Sequence, residues 1–404
     1  MQNRLRICAL FAMVLIYFPG PLVFAQESNS KMKAEWYGYM GGDFRYFHDP
    51  ALYEGQKETY FSAVFKPQMF IESRNGRHQF HFMGFARLDQ YDDKRTHADI
   101  RDLYWRFAPG TWEINAGVKT VTWGKTESNH LVDIVNQYDL VEGRTLEHKL
   151  GQPLIQFTYA PSWATLELYV MTFNRNLQFP GKQGRLQPGF PIDDDHPEYE
   201  KDGAQYRPDY AIRLARSTGN FDFALSNFYG TNRLPLFKLN DLDTFVPLYE
   251  EINQTGFEFH WLTGPFAWKL EAINQYSERQ TIRAFTVGGE YNIYFRSGPE
   301  LKWMLEYTYD ERDREQISGI NNDLFIGLNL NFNDRQSTHL MLIGFYDLDY
   351  GTTIIRTQVE RRFGDSWKAN LVYNGITNTD PQDFYHLIRN DSFIELGLFY
   401  YFQK

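Results

Sequence analysis

The feature that most restricts this chain is a period of two. In Asn321 to Phe332, Leu324, Ile326, Leu328, Leu330 and Phe332 take every second position, against Gly327, Asn329 and Asn331. Trp367, Ala369, Leu371 and Tyr373 alternate in the same way with Lys368, Asn370 and Asn374, and Leu301, Trp303, Leu305 and Tyr307 with Lys302, Glu306 and Thr308. Successive side chains on a strand point to opposite faces, so each segment has one apolar and one polar face. Soluble sandwiches and propellers also alternate. Strands of about 9–14 residues repeated along a whole chain, however, would expose more apolar surface than water tolerates, whereas a membrane barrel turns that face to hydrocarbon and the other to a polar lumen.

The pattern predicts an all-β fold: a transmembrane antiparallel β-barrel of about 18 strands, with 16 as the lower count. They fall near 33–47, 58–73, 77–91, 97–108, 111–121, 152–160, 163–174, 208–218, 220–229, 253–262, 264–277, 281–295, 299–310, 320–332, 336–347, 351–363, 365–376 and 391–402. Connections after even-numbered strands are short and turn-like, as at Arg74-Asn75-Gly76, Pro109-Gly110, Gly219 and Gly364. Those after odd-numbered strands are often long: 48–57, 122–151, 175–207, 230–252 and 377–390. Short periplasmic turns and long extracellular loops give this asymmetry. Trp112, Trp163, Trp261, Trp268, Trp303 and Trp367 lie near strand ends, where interfacial girdles form.

Residues 1–25 read as a secretory signal, with Arg4 and Arg6 before the apolar run Ile7 to Phe18 and a small-residue site at Val23-Phe24-Ala25. The barrel then spans 26–404, and its expected location is the outer membrane of a Gram-negative cell. The lone cysteine, Cys8, falls in the signal, so no disulfide scaffold is available. Cleavage would lower Lys+Arg from 41 to 39 against 51 Asp+Glu, a net charge of −12, which argues against a nucleic-acid partner.

If the apolar set faces lipid, the lumen receives Lys66, Arg87, Arg106, Lys119, Arg213, Lys269, Lys302, Arg356, Arg362 and Lys368, together with acids that include Glu113, Glu167, Glu258, Glu271, Glu290, Glu306 and Glu360. Bases concentrate on strands 2–5 and 16–17 of the predicted order and acids in the middle. Two arrangements are open: opposed strips that set up a transverse field, or pairing between neighbouring strands that stiffens the wall. A barrel this wide leaves an aqueous channel unless a loop narrows it. Residues 125–150 are the candidate constriction, folding inward; Leu131, Ile134, Val135 and Tyr138 suit a short amphipathic helix, with Asp133, Asn136 and Asp139 on its polar side.

Three runs carry a resemblance: Arg101-Asp102-Leu103-Tyr104-Trp105, Gly117 to Lys125 with its Trp123-Gly124 pair, and Val132-Asp133-Ile134-Val135-Asn136-Gln137-Tyr138-Asp139-Leu140. They resemble a family of porin-like Gram-negative outer-membrane proteins of unknown function, in which a strand ending in Trp-Gly precedes an Asp-x-x-Asn-x-x-Asp stretch. That family usually has proline where this chain has Gln137. The resemblance implies a transport-type barrel, in some cases working with an inner-membrane exporter of lipids or hydrophobic compounds.

No histidine among the ten is placed beside a convincing nucleophile: His81 and His260 fall on distant strands and His130 in the long loop. No Cys/His cluster or glycine-rich phosphate loop occurs, so neither enzyme activity, cofactor nor metal is expected. The acid-rich stretch Asp193 to Asp202 matches no calcium-loop spacing. The function expected is a porin-like channel for small polar or amphipathic solutes through a mixed-charge lumen. Alternatives are a conduit for lipids or hydrophobic compounds, or a non-conducting anchor. Expected partners are outer-membrane lipid and lipopolysaccharide, the barrel assembly machinery and an inner-membrane transporter.

Overall fold

The computed structural model of the protein describes residues 32–143, 148–241, 243–312 and 320–404; the expected signal at 1–25 lies outside them. An 18-stranded sheet contains β1 (Met32–Phe47), β2 (Thr59–Ser73), β3 (His78–Asp89), β4 (His97–Phe107), β5 (Trp112–Lys119), β6 (Gln152–Tyr159) and β7 (Thr165–Met171). It continues, past the short loop strand β8 (Glu198–Tyr199), through β9 (Asp209–Thr218) and β10 (Phe221–Thr231). Two more loop strands, β11 (Leu236–Leu239) and β12 (Phe245–Tyr249), precede β13 (Glu251–Thr263), β14 (Phe266–Tyr276), β15 (Thr281–Tyr294), β16 (Glu300–Asp310) and β17 (Asn322–Asn331). The sheet ends with β18 (His339–Asp347), β19 (Thr353–Phe363), β20 (Trp367–Thr377) and β21 (Phe393–Gln403). All its pairings are antiparallel, and β21 returns to β1 from Tyr37↔Gln403 to Phe47↔Phe393, closing the barrel. Closure leaves no free edge, the condition for a sheet to sit in hydrocarbon.

All 18 expected strands are present, with ends shifted by a few residues. The largest trim is at β7, expected at 163–174 and found at Thr165–Met171. The stretch 230–252, expected as open loop, holds β11 and β12. These pair antiparallel and, with β8 added in parallel, make a small sheet over the long-loop end.

The wall is polar inside and apolar outside. On β13, Gln254 and Glu258 are 4% and 1% exposed while Phe257 is 38% exposed. That inversion is stable only if hydrocarbon, rather than water, covers Phe257 and its equivalents. Aromatic residues mark the limits of this surface. The six tryptophans named above all lie at the short-turn end, while exposed Tyr210, Tyr229, Tyr276, Tyr309 and Tyr346 ring the long-loop end. Tight hairpins close the short end; Gly219, at φ +59°, takes the left-handed conformation that joins Thr218 to Phe221 in two residues.

Ile326 faces outward at mid-strand and Asn329 inward on the same β17. Ile326→Lys is expected to destabilise the folded barrel by about 2–4 kcal/mol, read as a lower urea midpoint in lipid vesicles. Asn329→Lys should leave that midpoint nearly unchanged.

Candidate functional site

Between β5 and β6 the chain turns away from the wall and runs without regular structure from Thr120 to Gly143, resuming at 148. Val132, Val135, Asn136 and Gln137 are at most 1% exposed. A buried segment without helix or ladder must find other partners for its N–H and C=O groups. Here the wall supplies them. Glu271 of β14 accepts the N–H groups of Lys125 (2.6 Å), Thr126 (2.9 Å) and Val132 (3.3 Å) and the Thr126 hydroxyl (2.7 Å). Glu306 of β16 accepts the N–H groups of Glu127 (2.9 Å) and Ser128 (2.8 Å) and the Ser128 hydroxyl (2.5 Å). Bonds to ionised carboxylates are the stronger class, and these are shielded from water.

The carbonyls have partners of their own. Arg233, 2% exposed, donates to the carbonyls of Ile134 and Val135, both at 3.2 Å, and is itself held by Asp209 at 2.9 Å and Asn174 at 2.6 Å. Asn136 accepts from the Val121 N–H (2.8 Å) and donates to the carbonyls of Lys119 (2.9 Å) and Leu150 (2.8 Å), drawing both ends of the segment together. Gln137 donates to the carbonyls of Arg175 (3.1 Å) and Arg233 (2.9 Å), bonds that proline could not make.

No helix forms at 131–138, contrary to the spacing. Several backbone groups that helical bonds would use are taken by side chains instead, the Val132 N–H by Glu271 and the Ile134 and Val135 carbonyls by Arg233. Leu131, Val132, Ile134 and Val135 instead join a buried cluster with Val121, Trp123, Tyr169, Phe228 and Ile252. Trp123, 2% exposed, packs its ring 5.6 Å from that of Tyr169. Gly124, at φ +107°, is required by close approach: a Cβ there would lie 2.7 Å from Glu271 Oε1 and 2.8 Å from His130 Nδ1. The Trp-Gly pair thus anchors the segment and opens the path for the glutamate.

On the far side of this segment lies a cavity of about 860 Å³, bounded by the inner faces of β17–β21 and β1–β4. Of the residues expected to line a pore, Lys66, Arg87, Asp133, Arg356 and Lys368 border it. Arg106, Lys119, Asn136, Asp139, Glu258 and Arg362 do not. Arg106 pairs with Glu113, and Lys119 donates to Gln156 at 2.6 Å. Glu258 grips Arg213 at 2.8 and 3.0 Å, Asp139 holds Arg101, and Arg362 sits across from Lys368 at the short-turn end.

Wall charges are largely paired with neighbours. Arg213 bridges Glu167 (3.1 Å) and Glu258, Lys269 meets Glu290 (2.8 Å) and Glu127 (2.6 Å), and Lys368 meets Glu360 (2.6 Å). A second network was only partly legible from alternation. Arg87 lies between Asp43 (2.5 Å) and Glu142 (2.9 Å), Arg95 meets Asp89 (2.9 Å), Arg45 pairs with Glu395 and Lys149 with Asp133. Arg45 obeys the inward parity of β1 and could have been read from it. Arg95, Glu142 and Lys149 come from loops, where parity says nothing.

In the loop, Asp139 and His130 show how burial and charged neighbours compete. Burial opposes the charge on Asp139, but His97 at 3.4 Å and Arg101 hold its carboxyl well below the usual range. Burial likewise disfavours the His130 imidazolium, yet the Glu271 carboxylate 3.8 Å away overrides it and raises the His130 pKa.

The closed 18-stranded antiparallel wall, with its buried inward segment, defines a transmembrane barrel of porin-like architecture. No protein-family model matches the chain, and no curated protein is similar to it in sequence. In three dimensions it is similar to a BenF-like porin from Pseudomonas fluorescens Pf-5, with TM-score 0.54, 10% identity, and 93% of this chain and 98% of that one covered. A triple mutant of Rhodopseudomonas blastica porin matches with TM-score 0.43, 12% identity, and 92% and 100% covered. The first likeness is one of fold.

Because its pKa is raised, His130 strengthens the Glu271 contact fully below the ordinary histidine value of about 6.5, and that contribution is lost as pH rises through the raised value. Amide hydrogen exchange in 124–132, corrected for intrinsic rate, should therefore show protection falling from pH 6 to pH 9 in the wild type and staying flat in His130→Gln. Glu271→Ala removes the acceptor outright; residues 124–132 should then exchange at least about tenfold faster at every pH, as expected for amides left buried without partners at about 1–3 kcal/mol each.

Proposed function

We propose that the protein is an outer-membrane channel of porin type, through which small polar or amphipathic solutes diffuse along the side of the lumen that the inward segment leaves open. The cavity of about 860 Å³ between that segment and the β17–β4 wall carries this reading. Its lining is mixed in charge, with Lys66, Arg87 and Arg356 beside Glu127, Glu142 and Glu360, which suits weak passage of either sign of ion rather than tight capture. The segment sets the bore because it is clamped to one side by Glu271, Glu306 and Arg233. In this reading the chain is exported by its N-terminal signal, is inserted by the barrel assembly machinery and sits among lipopolysaccharide and phospholipid.

Purified protein in a planar bilayer should give steady single-channel steps in potassium chloride. Glu271→Ala combined with Glu306→Ala should raise the step size and its noise, since the segment loses both clamps. Absence of steps in protein that still shows heat-modifiable electrophoretic mobility would overturn the reading.

A further inference from the structure

Strand β18 is apolar on both faces. Leu340, Leu342 and Tyr346 point outward, while Met341, Ile343 and Phe345 take the inward positions between them. Hydrocarbon requires the first set, but an aqueous lumen does not require the second. The inward residues also meet others of their kind: Phe325 of β17, Phe345, Ile354 of β19 and Ile376 of β20 are direct partners in one row near the long-loop end, and all four line the cavity. Phe325 and Ile376 are buried, with the rings of Phe325 and Phe345 5.1 Å apart. Ile343, Phe345 and Ile354 are only half-buried along the cavity.

The polar groups beside this surface differ in what they still have to offer. One pleat from Ile354 and Ile376, about 7 Å at the rise of a strand, stand Arg356 and Asn374, themselves partners across β19 and β20. Arg356 is engaged inside the protein, donating to the Gln358 amide at 3.2 Å. The cavity-lining acids of β19, β21 and β1 are each held by a base: Glu360 by Lys368, Glu395 by Arg45 and Asp43 by Arg87. Asn374 also lines the cavity, and its carboxamide makes no hydrogen bond among the described residues. Lys66, a cavity residue without an ion pair among the described residues, is remote from it. The row of Lys66 meets β21 at Tyr401 and that of Asn374 meets it at Phe393, about 26 Å apart along the strand. What stands open beside the apolar row is therefore a group that both donates and accepts and carries no charge.

We infer that this face of the lumen is a binding subsite for uncharged amphipathic solutes, with a hydrocarbon body of a few carbons on Ile343, Phe345 and Ile354 and a hydroxyl or amide head on the Asn374 carboxamide. The inference rests on the channel reading and deepens it by naming the solute class. Covering the row removes apolar surface from water on both partners. A neutral head exchanges its bonds to water for bonds to Asn374, whereas a charged head brought onto the same surface loses hydration that a carboxamide does not replace.

The test uses full-length protein in planar bilayers and four six-carbon probes: hexanamide, sorbitol, hexanoate and hexylammonium. Hexanamide should half-block the potassium chloride current at about tenfold lower concentration than sorbitol, which is neutral without the hydrocarbon, and than either charged probe. Phe345→Asn and Ile354→Asn, made separately, should each erase the hexanamide–sorbitol difference while open conductance persists. Asn374→Ala should raise the half-blocking concentration of hexanamide about fivefold and leave it below that of sorbitol. Equal block by hexanamide and sorbitol in a conducting wild-type channel would overturn the subsite alone. Block by hexanoate or hexylammonium at or below the hexanamide concentration would overturn its assignment to uncharged solutes, and hexanamide block unchanged in Asn374→Ala would overturn the seating of the head. A folded protein with no conductance would overturn the channel reading and the subsite with it.

Discussion

The interior of this barrel depends on carboxylates that bind backbone. Glu271 and Glu306 receive five N–H groups and two hydroxyls from a segment that has no secondary structure of its own. An irregular chain inside a membrane protein is tolerated only where other groups satisfy it, and here that need is met at two positions on β14 and β16, with Arg233 supplying the carbonyl side. The consequences spread outward. The segment is pressed against one half of the wall, the opposite half keeps its open space, and the Trp123-Gly124 pair has a physical role as the place where a glutamate must come within hydrogen-bonding distance of main chain.

Architecture was legible because a barrel wall is a local code. Parity assigned Ile326 outward and Asn329 inward from the residues alone, and the contrast between turns such as Gly219 and loops such as 175–207 gave each strand its direction. Loop interiors obey no such code. The spacing of Leu131, Ile134, Val135 and Tyr138 reads as a helix, yet the competing partners that prevent one lie on strands more than a hundred residues away. The Arg87–Asp43–Glu142 network has the same character, since two members follow wall parity and the third comes from a loop.

The inward apolar row of Phe325, Phe345, Ile354 and Ile376, partners across β17 to β20, was hidden for a different reason. Phe325, Ile343, Phe345 and Ile354 stand beside apolar neighbours of opposite parity, so on β17 to β19 both faces are apolar for part of their length. Alternation there shows only that a strand exists. Register across four strands is what reveals that the inward members meet one another, and what separates Arg356 from Ile354 by a single pleat.

The clamps also order events in time. Lys125 and Glu127 are joined to Glu271 and Glu306 across 146 and 179 residues of chain, so the inward segment cannot settle until β14 and β16 are in place. Until then its buried polar groups have only water. Long-range contacts of this kind are slow to form and leave intermediates exposed, which makes the lumen the last part of the barrel to acquire its shape. A chain shortened before β16 would carry the constricting segment and lack what holds it.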